Sequence, residues 1–147
     1  MTIALLFVTL VVLKRRPSPA IHQNLMTATI LCVDDDIQAL DLRRRVLEQG
    51  GYRVLSAHSA TQALETFRSG SIDAVILDYW LPRTNGIKVA TEFKSLKPHV
   101  PIIMLSGSET ILDEVVGRVD RWLVKGNIEP KDLLSTLDDL LNRRTAQ

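Results

Sequence analysis

The sequence is poor in the residues that staple, span or stick. It has one cysteine in 147 residues, so no intrachain disulfide can form. Cys32 lies inside the apolar run Thr29 to Val33, the setting of a small core residue rather than of a nucleophile. That fits a reducing, cytoplasmic setting. Formal net charge is only +1, with acids and bases interspersed, which leaves no electrostatic footprint for nucleic acid. The densest basic run, Arg43-Arg44-Arg45, stands beside Asp41 and Glu48 and reads as a solvated helix face. There is no internal repeat.

Long apolar runs are nearly missing too. Residues 1–13 are almost all apolar, and Lys14-Arg15-Arg16-Pro17-Ser18-Pro19 follows. Thirteen residues fall short of the ~20 that a membrane-spanning helix needs. A secretory signal carries its positive charge before the apolar core, and here the charge comes after. Should the segment tether the chain weakly, the positive-inside tendency leaves the remainder in the cytoplasm. A true start at Met26 is a further reading, since Met26-Thr27-Ala28 leads straight into the first strand. Residues 1–25 are therefore expected to be an extension, and residues 26–147 one folded domain, large enough to need no metal or disulfide staple.

What is present is a regular alternation of two periods. Short apolar, β-branched runs occur at Thr29–Val33, Arg53–Ser56, Ala74–Leu77, Pro101–Leu105 and Trp122–Val124. Each reads as a strand, the longer ones buried on both faces. Between them lie helical patterns. Ile37–Gln49 stops at Gly50-Gly51, and Ser59-Ala60-Thr61-Gln62 has the form of a capping box ahead of the face Ala60, Ala63, Leu64 and Phe67. Val89, Ala90, Phe93 and Leu96 mark a third helix, and Ile111, Leu112, Val115 and Val116 a short fourth one. Pro130 suits the first turn of a last helix with Leu133, Leu134, Leu137, Leu140 and Leu141 on one face. Five strands each followed by a helix predict an α/β fold, a parallel sheet covered on both faces and wound right-handedly. The last helix ends within a few residues of Gln147, so the expectation is of no effector domain and of action through this domain's own surface.

In such a sheet the residues just past the strand ends share one crevice. Read in order they are Asp34, Asp35 and Asp36, then Asp78, Ser106 and Lys125. Asp36 alone reads as a helix cap. Crowded carboxylates raise one another's pKa and call for a cation, and an oxygen-only set suits Mg²⁺. A hydroxyl, a mobile lysine and a divalent ion converging on one carboxylate suit phosphoryl chemistry, which needs positioning and charge neutralisation. A carboxylate can itself accept the phosphoryl group as an aspartyl-phosphate.

Val33-Asp34-Asp35, Leu77-Asp78-x-x-Leu81-Pro82-x-x-x-Gly86, Leu105-Ser106-Gly107 and Val124-Lys125 together resemble the motif set of two-component response-regulator receiver domains. The resemblance runs from about Ala28 to Arg143. It implies a flavodoxin-like (βα)5 doubly wound sheet with strand order 2-1-3-4-5. It also implies that Asp78 accepts phosphate from a sensor histidine kinase, a phosphotransfer protein or a small phosphodonor. Asp35 and Asp78 would ligate Mg²⁺ directly, Asp34 mostly through water, and the backbone carbonyl of Trp80 would complete the protein ligands. Ser106 and Lys125 would bind the phosphoryl oxygens. The outcome is a conformational signal to a downstream protein not named by the sequence, or onward phosphotransfer, and not turnover of a substrate.

The chain departs from the pattern at three places. Gly126 stands where the family has a proline after the lysine, often with a cis bond, and a trans bond is expected here. Only 18 residues separate Ser106 from Lys125, about one helical turn fewer than usual, so the fourth helix should be short. Trp122, three before the lysine, takes the place of the aromatic switch, with a core or interface anchor as its plainer role. Trp80, two after the acceptor, is bulky enough to limit water at a phosphoaspartate. Two rivals remain in view. One is a constitutive scaffold that no longer cycles phosphate. The other is a haloacid-dehalogenase-type phosphohydrolase with Asp34 as nucleophile and Asp36 as acid-base.

Overall fold

A computed structural model describes residues 27–109 and 113–146. The 1–25 extension and the start of the expected fourth helix, with Ile111 and Leu112, lie outside the described residues. The elements are β1 (Thr29–Val33), α1 (Ile37–Gln49), β2 (Arg53–Ala57), α2 (Ala60–Ser69) and β3 (Ala74–Asp78). A two-residue ribbon follows, β4 (Trp80–Leu81) and β5 (Thr84–Asn85), then α3 (Gly86–Leu96), β6 (Ile102–Ser106), β7 (Arg121–Val124) and α4 (Pro130–Thr145). The main sheet is parallel throughout, in the order β2-β1-β3-β6-β7. Counted along its own five strands this is 2-1-3-4-5, the flavodoxin-like order.

The alternation of strand side chains divides the core into two layers. Ile30, Cys32 and Ile76 point one way and meet Leu40 and Leu47 of α1 and Leu133, Leu137 and Leu140 of α4. Leu31, Val33, Val75 and Leu77 point the other way, onto Ala63 and Phe67 of α2 and Ile87, Ala90 and Phe93 of α3. Phe67 and Phe93 stack with ring centroids 4.2 Å apart, and truncating either ring to alanine is expected to cost about 3–5 kcal/mol. β3, at the centre, is buried along its whole length. Its final residue is therefore held by packing on both sides, which fixes where Asp78 emerges.

Helix starts follow the sequence signals closely. Asp36 caps α1, accepting from Gln38 N at 3.0 Å and Ala39 N at 3.2 Å. Ser59 caps α2, but its reciprocal partner is displaced, since Gln62 accepts from His58 N rather than from Ser59 N. Pro130 is the first residue of α4, behind a capping box of Glu129 and Asp132. One expectation needs correcting. Leu96 is 44% exposed at the last residue of α3, outside the core that Val89, Ala90 and Phe93 enter. Pro82 and Arg83, the latter at φ 64°, form the turn that joins β4 to β5 in the ribbon. Between Ser106 and β7, the described residues hold only one 3-10 turn, Asp113–Val115.

Candidate functional site

Every carboxyl-end position singled out in the sequence lies on one rim of the sheet. Asp78 ends β3, beside Leu105 of β6, and Ser106 ends β6 beside Val124 of β7. Asp34 follows β1 and is tied to β2 by its N–H on the Ala57 carbonyl at 3.2 Å. Three of these polar side chains are buried: Asp34, Asp78 and Ser106. Asp35 is exposed. One carboxylate oxygen from each of Asp34, Asp35 and Asp78 lies within 4.8 Å of the others. Three acidic oxygens that close, with solvent reaching one, fit a hard divalent ion that keeps some of its water.

Lys125 ties the two buried acids together. Its Nζ stands 3.1 Å from Asp34 Oδ2 and 3.0 Å from Asp78 Oδ2. A 3-10 turn, Lys125–Asn127, begins at this lysine, so the side chain leaves β7 just where the backbone bends away. The Lys125–Gly126 bond is trans, as expected.

The two buried acids are pushed in opposite directions. Burial pushes Asp78 above the ordinary carboxylate range and repulsion from Asp34 adds to it, against the pull of Lys125. Burial acts on Asp34 too. There the Asp36 N–H, 3.0 Å from Oδ1, together with Lys125 and Arg43, outweighs burial and holds the carboxyl below its usual value. Lys125 is desolvated, yet its bonds to both acids hold its pKa up. The site thus favours the ionised form of one acid, opposes ionisation of the other, and favours the charged form of the lysine.

Around this centre, the backbone N–H of Trp80 donates to Asp78 Oδ1 at 3.4 Å, while the residue is 67% exposed. The ribbon that carries it is closed by Gly86 N donating to the Tyr79 carbonyl at 2.7 Å. The Ser106 hydroxyl accepts from Ser108 N–H at 3.1 Å. Trp122 is half-buried, donates from Nε1 to the Ser108 carbonyl at 3.4 Å, and meets the Tyr79 ring edge-on at 5.8 Å. Tyr79 in turn meets Trp80 at 5.1 Å.

One member of the site was missed. Arg43 was read as part of a solvated basic face, and that holds for Arg44 and Arg45, which pair with Asp41 and Glu48. Arg43 instead turns inward, with its side chain 11% exposed and Nη2 3.4 Å from Asp34 Oδ2. The signal was its spacing: residues 40, 43 and 47 share one face of a 3.6-period helix, and Leu40 and Leu47 are core residues.

Comparison with known proteins agrees with this geometry. The family model for the response regulator receiver domain matches residues 30–137. A response regulator MprA from Mycobacterium ulcerans is 34% identical over 121 residues, which cover 80% of this chain and 52% of that protein. The Mycobacterium tuberculosis counterpart is 32% identical over the same length. The chain thus spans about half the length of the curated relatives it matches. Among solved structures, a CheY-like receiver domain protein from Methanospirillum hungatei aligns with TM-score 0.77 and 27% identity, covering 82% of this chain and 98% of its own. The response regulator TrrA from Thermotoga maritima, solved with Mg²⁺ and BeF, aligns with TM-score 0.73 and 29% identity, covering 78% and 99%. With the strand order, the acidic rim and the bridging lysine already in place, these matches make the chain a member of the response regulator receiver domain family.

Proposed function

We propose that this receiver takes a phosphoryl group on Asp78 in a two-component or phosphorelay pathway and uses it to change how the domain binds another protein. The observation that carries this is Lys125 Nζ held between Asp34 and Asp78, at 3.1 and 3.0 Å, beside the three-carboxylate cluster. Asp35 and Asp78 would hold Mg²⁺ directly, Asp34 through water, and the Trp80 carbonyl would add a fourth protein ligand. When bound, the ion neutralises phosphoryl oxygen charge. An Asp78 oxygen attacks phosphorus, the O–P bond forms, and the P–N bond of a donor phosphohistidine breaks with its electron pair leaving on the imidazole. Lys125 and Ser106 receive the phosphoryl oxygens. Residues 26–147 make up the receiver unit and residues 1–25 an extension to it. The donor is a sensor histidine kinase or a phosphotransfer protein. The receiver takes part only in its own phosphorylation and dephosphorylation, with Trp80 limiting water at the phosphoaspartate.

The hydrolase alternative fits the side chains less well. Asp36, its acid-base, is committed to capping α1, and Asp34, its nucleophile, has one oxygen shared by two cations. Acetyl phosphate or phosphoramidate with Mg²⁺, followed by intact mass, tests the proposal. The wild type should gain one phosphoryl group and Asp78→Asn none. Turnover that survives in Asp78→Asn and dies with Asp34→Asn would favour the hydrolase. No adduct under any donor would leave a scaffold that does not cycle phosphate.

A further inference from the structure

We propose that Arg43 is a built-in competitor of the divalent cation: it holds Asp34 in the metal-free protein and weakens metal binding. The inference deepens the proposed function, since it rests on the acidic cluster being a metal site. It concerns a residue outside the five positions that the motif set supplies.

Asp34 is unusually heavily engaged. Its Oδ2 meets both Lys125 Nζ at 3.1 Å and Arg43 Nη2 at 3.4 Å, and its Oδ1 accepts the Asp36 N–H at 3.0 Å. The two cations are not equivalent. Lys125 has a second acid at 3.0 Å and a side chain 35% exposed, so it can shift toward Asp78 without losing charge compensation. Arg43 is 11% exposed, and its Nη1 is buried without a hydrogen-bond partner among the described residues. A guanidinium with an unpaired buried donor sits at a cost, and what holds it there is its attraction to Asp34. An ion arriving at the cluster must approach Asp34 against that positive charge. By linkage, binding of either cation weakens the hold of the other.

The structure also offers Arg43 somewhere to go. A cavity of about 420 Å³ opens beside it between α1 and the connection from β7 to α4. Arg43, Lys125 and Leu133 line it, and so do Asp36, which caps α1, and Glu129, which caps α4 and pairs with Lys131 at 2.8 Å. A guanidinium displaced from Asp34 therefore has space beside its own side chain. Asp34, once neutralised by an ion, no longer needs it.

Mg²⁺ titration of the intact chain, followed by fluorescence of the exposed Trp80 and by calorimetry, tests this on wild type, Arg43→Leu and Arg43→Lys. Removing one positive charge at such range should tighten Mg²⁺ binding on the order of tenfold in Arg43→Leu, with Arg43→Lys between that and wild type. A structural role alone would lower stability and leave the affinity unchanged. Equal or weaker affinity in Arg43→Leu would overturn the proposal. A second measurement needs no variant, in case Arg43→Leu does not fold. Arginine side-chain ¹⁵N spectra of the wild type should show Arg43 lose its protected signal on Mg²⁺ saturation, and an unchanged signal would count against it. Failure of the wild type to bind Mg²⁺ at all would overturn the metal reading itself, an outcome distinct from unchanged affinity in the variant.

Discussion

Gly86→Ala is the sharpest perturbation the structure offers, because it adds one methyl group against the backbone of Asp78, the proposed phosphoacceptor. A Cβ at Gly86 would lie 2.5 Å from the Asp78 carbonyl oxygen, 3.0 Å from Tyr79 Cα and 3.1 Å from Met104 Cε. Gly86 does not have a left-handed φ, so space and not backbone freedom is what selects glycine. The Met104 methyl can move, but the two backbone atoms cannot move easily. Asp78 is locked in the central strand, with Tyr79 N on the Leu105 carbonyl at 2.8 Å. Ordinary contact begins near 3.4 Å, so ribbon and strand must part by about 0.9 Å. Overpacking of this kind costs about 1–3 kcal/mol, and backbone contact puts it at the upper end. Alanine returns a part of its ~1 kcal/mol helix advantage at the start of α3. The net expectation is a loss of about 2 kcal/mol, or roughly 8 °C in Tm for a domain of this size. Shifting Asp78 by nearly that distance should slow phosphorylation about 10- to 100-fold. Urea denaturation and initial rates with phosphoramidate measure the two effects. Two controls isolate the cause. Gly126→Ala meets nothing within 4 Å and should be neutral in stability, while Gly51→Ala, at φ 93°, should cost about 1 kcal/mol through backbone strain and leave phosphorylation untouched. Wild-type stability and rate in Gly86→Ala would refute the reasoning.

Other outcomes follow from burial and charge. Asp78→Asn should raise the Tm of the metal-free protein and abolish most of the stabilisation that Mg²⁺ gives the wild type, about 2.7 kcal/mol at a hundred times its Kd. The sign comes from Asp78's raised pKa: its favourable term is present below the unfolded value of 3.8 and is lost as pH rises through the folded value. Asp34 acts oppositely, its lowered pKa stabilising the fold above 3.8 and failing as pH falls through the folded value. Acid unfolding followed by circular dichroism should therefore show Asp34→Asn less stable at neutral pH and closer to wild type in strong acid. Burial pushes the Cys32 thiol up to about 12, so a thiol reagent should label it only at the rate of global unfolding, and prompt labelling in native buffer would contradict the packing. Asp36→Ala should cost about 1 kcal/mol through the lost cap while phosphorylation stays near wild type, and loss of activity there would favour the hydrolase.

The legible part of the molecule was whatever rested on burial over a short period. β3 declared itself because Ala74 to Leu77 are all apolar and all buried, and its terminal acid followed. The capping of α1 by Asp36 and the trans bond at Gly126 were readable for the same local reason. The β4–β5 ribbon was not, because Arg83 at φ 64° is a conformation no composition rule assigns to arginine. Arg43 was hidden by its neighbours: in a run of three arginines, only helix phase distinguishes the one that faces the core from two that pair along the surface. Leu96 failed the other way, its phase correct but its place the last, exposed residue of α3. Long-range partners need the fold before they can be read, as with Lys125 reaching an acid 91 residues away.

What the site's geometry implies for signalling is a matter of competing bonds. In the structure Ser106 Oγ accepts from Ser108 N–H, and the Ser108 carbonyl accepts from Trp122 Nε1. Donating to a phosphoryl oxygen at Asp78 uses the Ser106 hydroxyl's own hydrogen, and turning the side chain to do so strains the bond it accepts from Ser108 N–H and loosens the Trp122 bond with it. The two neutral bonds are worth about 1–3 kcal/mol together, whereas two charge-assisted bonds from Ser106 and Lys125 return about 3–6 kcal/mol. Lys125 gives up part of its hold on Asp34 and Asp78 in doing so. The remaining drive falls below the ~5.5 kcal/mol that would carry a population from 1:99 to 99:1. Phosphorylation alone should therefore leave Trp122 in two environments, with a binding partner completing the shift. Fluorine spectra of the 5-fluorotryptophan protein with Mg²⁺ and beryllofluoride would show two exchanging Trp122 resonances. A single shifted resonance without any partner would mean that the Ser106–Ser108–Trp122 chain resists less than its bonds suggest.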